Sequence, residues 1–185
     1  MNHRPQIAIL GWGSLVWRPG QLPLRRAFAL GGPTLRVEFS RRSDRGRLTL
    51  VIDRRGDAVT TYHALSDRPT LDDAIESLRV REGARVQRED IGVVNGNEVI
   101  HSRDVEAGAA IREWTAARPL DATIWTDLDS EWPEFDFTRA VAHLRRLNDA
   151  DREHARIYFA NAPVETNTPL RRHLAAWIAG GPLPA

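Results

Sequence analysis

The sequence predicts an α+β fold: an antiparallel or mixed, β-barrel-like sheet with surrounding helices. Three observations predict it. Short apolar runs punctuated by glycine crowd the first 65 residues. Capped amphipathic stretches dominate from Thr70 onward. Strands first and helices later is the pattern of α+β proteins rather than of a regularly alternating α/β sheet. The 185 residues fit one domain over 1–185, with a motif-bearing core at about 6–95 and a helical C-terminal part at about 104–185. A chain of this length hides roughly two thirds of its unfolded surface.

Residues 6–10 form a short apolar run ending in a glycine loop, which reads as a buried first strand. Residues 24–30 and 34–41 read as strands on either side of a Gly31-Gly32-Pro33 turn. In the second of them Leu35, Val37 and Phe39 alternate with polar partners. Gly46 and Gly56 punctuate two further runs, 47–53 and 58–65, completing an antiparallel meander that curls toward a barrel. Thr70 then reads as an N-cap, with Asp72 and Asp73 in the first turn where the helix dipole favours acids. Leu71, Ala74, Ile75 and Leu78 make the apolar stripe, and Gly83 is the stop. Asn95-Gly96 marks a hairpin between 91–94 and 98–101. A helix over about 104–117, a strand over about 122–125, and two or three helices within 137–160 and 169–179 complete the chain.

Composition excludes several chemistries. There is no cysteine, hence no disulfide, thiol nucleophile or zinc–cysteine site. All 26 basic residues are arginine, so Schiff-base chemistry and a P-loop lysine are excluded too. A net charge of +1 argues against a nucleic-acid partner. The arginine-rich run Arg41, Arg42, Arg45, Arg47, Arg54 and Arg55 interleaves with Leu48, Leu50 and Ile52 and reads as solvated hairpin ends; an RNA-binding or protein-binding hairpin is the alternative. The opening Met1-Asn2-His3-Arg4-Pro5 has no apolar leader core, and no stretch approaches the ~18 apolar residues of a membrane span. The expectation is a cytoplasmic protein without membrane attachment; the sequence carries no signal for oligomeric state.

Two places invite chemistry. Gly11-Trp12-Gly13-Ser14-Leu15 follows the first strand, where glycines let a ligand approach and successive N–H groups form an anion nest. It is neither a dinucleotide fingerprint, because Val16 takes the third glycine position, nor a nucleophile elbow. A tight turn without function explains it equally well. The second place is Glu82. At about 100° per residue, eleven steps from Leu71 bring Glu82 back to within about 20° of the apolar stripe. A carboxylate on a buried face is costly unless paired, and desolvation prepares it as a general acid/base. The alternative is a frayed helix end, with Glu82 in solvent or paired with an arginine such as Arg85. Asp127, Asp129 and Glu131 start like a calcium loop, but Trp132 and Pro133 stand where the turn glycine belongs, so a surface acidic loop is expected. His63, His101, His143, His154 and His173 show no ligand spacing, and no metal is expected. Trp114 and Trp177 read as core residues, Trp125 as core or site.

The segment from Ile7 to Gly20, with Gly11-Trp12-Gly13-Ser14-Leu15 and then Trp17, Pro19 and Gly20, resembles the opening of the gamma-glutamylcyclotransferase family. The glutathione-degrading branch is the nearest likeness. Leu24 to Phe28 and Arg47 to Val51 are loosely similar to the next segments of that branch. The stretch from Ile75 to Gly83 is similar to the family's catalytic segment, with Glu82 in the place of its glutamate. The likeness covers roughly residues 6–95. It departs at Trp12, where the family usually has Tyr, and does not extend over 104–185. The resemblance implies a cofactor-free lyase acting on a small-molecule γ-glutamyl substrate and releasing 5-oxoproline. Glu82 would be the general acid/base, and Trp12, Gly13, Ser14 and Leu15 the substrate-binding loop. A non-catalytic small-molecule-binding domain of the same fold is the alternative, since fold outlives chemistry.

Overall fold

The structure is a computed structural model and describes residues 4–132 and 136–184. Met1, Asn2 and His3 of the opening segment, and Pro133 of the acidic loop, lie outside the described residues. The fold is α+β, with seven strands in one mixed sheet among the described residues. In chain order these are β1 (Ile7–Gly11), β2 (Ala29–Arg42), β3 (Leu48–Ile52), β4 (Asp57–Leu65), β5 (Ile91–Asn95), β6 (Glu98–His101) and β7 (Ala122–Thr126). The helices are α1 (Ser14–Trp17), α2 (Leu71–Glu82), α3 (Val105–Ala116), α4 (Phe137–Arg146), α5 (Asp149–Asn161), α6 (Pro169–His173) and α7 (Ala175–Ile178). Among the described residues none of them is long and apolar enough to cross a membrane.

The strand order β3-β2-β4-β1-β7-β5-β6 corrects the barrel-like meander. The end strands β3 and β6 do not pair with each other, so the sheet is open. β1 does not neighbour β2; it lies between β4, antiparallel, and β7, parallel. A parallel partner more than a hundred residues away leaves no local mark on either strand, because such pairing needs a long crossover. The turn expected at Gly31-Gly32-Pro33 is also absent: β2 runs through it as one strand of 14 residues. Gly31 takes a φ of +116°, and a Cβ on Gly32 would lie 2.4 Å from Thr61 Oγ1. Thr61 Oγ1 donates to the Pro33 carbonyl at 2.7 Å and Trp114 Nε1 to the Gly31 carbonyl at 2.9 Å. Side-chain donors thus engage these carbonyls where the glycines bend the strand. Residues 24–28 are not a strand; Leu24 contributes a single bridge to Ser66.

The chain forms two compact units. The first comprises Met1–Leu35 and Thr60–Leu128, the second Arg36–Val59 and Asp129–Ala185. The core of the first unit joins Ile7 and Ile9 of β1 and Ile124 of β7 to Ala74, Ile75 and Leu78 of α2, together with Leu15. Helix α2 starts as expected: Thr70 Oγ1 accepts the Asp73 N–H at 3.1 Å. Asp104 caps α3 by accepting the Ala107 N–H at 2.9 Å, and Trp114 of that helix is buried.

In the second unit Leu35's strand neighbours Val37 and Phe39 are fully buried, Phe39 stacking on Phe159 of α5 at 4.1 Å between centroids. The arginine run is largely occupied by acceptors within this unit. Arg42 pairs with Glu131, Arg45 with Asp151, and Arg55 with the buried Asp53. Glu38 is only 1 % exposed and accepts from Thr168 Oγ1 at 2.5 Å, Phe39 N at 2.8 Å and Leu170 N at 3.2 Å. Burial, with repulsion from Asp53, holds its carboxyl above the ordinary 4.5 despite these three donors. The folded chain therefore binds this proton more tightly than the unfolded chain does. The stability it contributes is fully present below pH 4.5 and is lost as pH rises through the raised folded value. Urea midpoints measured from acid to neutral pH should show this loss as the difference between wild type and Glu38→Gln; parallel curves would refute it.

Candidate functional site

The loop after β1 and the end of α2 come together in the first unit. Gly11 ends β1 closely packed: a Cβ there would meet Phe28 Cε1 at 3.2 Å and Val16 Cγ2 at 3.3 Å. Trp12 and Leu15 are each 5 % exposed, whereas Gly13 and Ser14 are half-buried. The loop expected here contains one helical turn, α1, whose N-cap Gly13 supplies no side-chain cap. The first N–H groups of such a turn have no partner inside it. Leu15 enters the same apolar core as Ala74, Ile75 and Leu78, and this shared burial fixes the loop against α2.

Glu82 is the last residue of α2, and its side chain is 17 % exposed. The helix continues through Glu82, and of the alternatives the sequence leaves open, pairing with an arginine is what forms. The arginine that meets it is its neighbour Arg81, whose Nη1 donates to Glu82 Oε1 at 2.7 Å. The Arg81 Nη2 donates to the Arg18 carbonyl at 2.7 Å and, at 3.3 Å, to Ser14 Oγ. One guanidinium thus ties the carboxylate to both ends of α1. Arginine suits this place because its planar fork serves several acceptors at once.

Gly83 ends the helix with φ +112° and ψ 171°, a region that is essentially glycine-only, and its N–H donates to the Arg79 and Val80 carbonyls at 3.2 Å each. Nothing lies within 4 Å of where its Cβ would be. Gly83→Ala should therefore cost about 1–3 kcal/mol through backbone strain alone. Chemical denaturation would read this; an unchanged midpoint would show that the chain leaves α2 by another route.

A second polar cluster lies where the sequence pointed to a surface acidic loop. Asp127 is 3 % exposed, not solvated. Trp125 Nε1 donates to its Oδ1 at 3.1 Å, and the Arg103 N–H to its Oδ2 at 2.6 Å. Burial nonetheless holds the Asp127 carboxyl above the ordinary value. His101 Nε2 lies 3.8 Å from Oδ2. The available signal was the Trp125-x-Asp127 spacing, which puts an indole donor and a carboxylate two residues apart at a strand end. Of the other acids, Glu131 pairs with Arg42, and the Asp129 carbonyl accepts from Arg41 at 2.9 Å. Among the described residues no group of three or more His, Asp or Glu side chains is arranged to hold a metal ion. Comparison with models of protein families, with curated proteins and with solved structures returns no match.

Proposed function

We propose that this chain is a cofactor-free, gamma-glutamylcyclotransferase-like lyase that releases 5-oxoproline from a γ-glutamyl compound, with Glu82 as its acid/base. The observation that carries this reading is the inward Glu82, joined through one arginine to Ser14 of the loop after β1. The likeness of both segments to that family adds to it.

The α-amine of the γ-glutamyl group attacks its own γ-carbonyl. A carbon–nitrogen bond closes the five-membered ring, and collapse of the tetrahedral intermediate expels the attached amine. Glu82 takes the proton of the attacking amine and returns one to the leaving nitrogen. The Gly13, Ser14 and Leu15 N–H groups hold the substrate's anionic groups and support the developing oxyanion. Trp12, in place of the family's usual Tyr, offers a ring edge without a phenolic hydroxyl. Nucleophile and electrophile belong to one molecule, so the protein's main task is to enforce the folded conformer.

The three contacts of Arg81 favour a second reading. A carboxylate already engaged by its neighbour also serves as a brace for α1, in a domain that binds a small acidic molecule without turning it over. Incubating the purified chain with a panel of γ-glutamyl peptides, amino acids and amines, and assaying 5-oxoproline, separates the two. Release from at least one compound supports the lyase. Calorimetric binding of panel members with no product supports the binding domain, and neither outcome removes both.

A further inference from the structure

Asp127 and His101 meet in a way that a purely structural role leaves unexplained. Capping the turn after β6 needs only Asp127 and the Arg103 N–H. The aim of the imidazole is an additional feature, and a β-bulge produces it. In the β5/β6 ladder Val94 lies opposite Val99, but Val93 lies opposite His101, so Ile100 is the extra residue. Such an extra residue bends its strand and re-aims the next side chain. Here it leaves Ile100 55 % exposed and turns His101 Nε2 toward the buried carboxylate. Nε2 is itself buried and makes no hydrogen bond among the described residues, while 38 % of the His101 side chain is exposed. The rest of the side chain is thus reachable from outside while Nε2 is not.

Location adds a second argument. β1 and β7 are parallel, with Ile9 opposite Ile124. Their carboxyl ends lead into Trp12 and Asp127 respectively, and in open sheets ligands gather outside the carboxyl ends of parallel strands. The Asp127 N–H donates to the Asp90 carbonyl at 2.8 Å. The Arg103 guanidinium is drawn to Asp90 Oδ1 at 2.7 Å, while the backbone N–H of the same residue serves Asp127.

We propose that His101 and Asp127 form a second acid–base couple, in which Asp127 holds the imidazole proton on Nε2 so that Nδ1 accepts a proton from a small ligand bearing an ammonium or hydroxyl group. The step is a proton transfer alone. The ligand's N–H or O–H bond breaks, an Nδ1–H bond forms, and the resulting imidazolium is stabilised by Asp127. At 3.8 Å the couple is too long for a hydrogen bond. The carboxylate nevertheless favours the Nε2–H tautomer through its charge, before any ligand arrives. The couple stands independently of the reading of Glu82.

The test uses the full chain and no ligand. Long-range nitrogen–proton NMR of the neutral imidazoles should find His101 with its proton on Nε2. In Asp127→Asn the side-chain amide turns toward the ring and the proton should move to Nδ1. Carbethoxylation of His101 by diethyl pyrocarbonate, followed by peptide mass spectrometry, should then slow by about three- to tenfold, because Nδ1 has lost its lone pair. His143 and His173 should react at unchanged rates. Wild-type His101 carrying its proton on Nδ1 would overturn the proposal even if the variant failed to fold. So would a folded variant with unchanged tautomer and rate.

Discussion

Glu82→Gln is expected to lower 5-oxoproline release by about 10²–10⁴-fold, the usual contribution of a positioned acid/base. Glutamine keeps the shape of the side chain and one oxygen for Arg81, but it cannot take up and return a proton. The loss should therefore appear in kcat rather than in KM. Stability should barely change, since the residue ends its helix and the Arg81 contacts to Ser14 and the Arg18 carbonyl do not involve it. A melting curve and a turnover assay on the same preparation check both halves. Equal turnover by the variant would remove Glu82 from the reaction; a collapsed fold would identify the residue as a brace.

The second large effect is one of packing. Gly92→Ala should destabilise the chain by about 3 kcal/mol or more. Gly92 lies opposite Trp125 in the β5/β7 ladder, and the indole lies directly over it. A Cβ added to Gly92 would come 2.0 Å from Trp125 Cε2, and Trp125 is 0 % exposed. For a chain of this size, a loss of that order lowers Tm by roughly 6–12 °C. Displacing the ring would also withdraw the indole N–H from Asp127 Oδ1, so tertiary fluorescence and the His101 resonance should shift together. A stable variant with an unmoved indole would contradict the close approach of strand and ring.

The features legible in the sequence are local ones. Thr70, the Leu71 to Leu78 stripe and Gly83 specify α2 within a few turns of chain, and Asn95-Gly96 closes its hairpin from adjacent residues. The same periodicity sets Glu82 beside the apolar stripe, but its pairing with Arg81 rather than Arg85 is not legible there. Pairings that depend on distant residues leave no such trace. Gly31-Gly32-Pro33 has the composition of a turn, whereas in the folded chain it belongs to a strand whose carbonyls are engaged by Thr61 and Trp114, far along the chain. Asp127 reads as one of three exposed acids until the indole of Trp125 and the Arg103 N–H are found enclosing it. Arg81 lies seven residues after Ala74, at the edge of the apolar stripe, but the partners that engage it, Ser14 and the Arg18 carbonyl, become neighbours only after folding.

The extra residue at Ile100 has an effect on the molecule's dealings with its own kind. β6 is a terminal strand of the sheet, and a flat terminal strand offers its free amides and carbonyls as a template for another chain. The kink interrupts that template after two paired positions, so an incoming strand meets a twisted, broken row. The irregularity that aims an imidazole thus also guards the molecule against edge-to-edge aggregation.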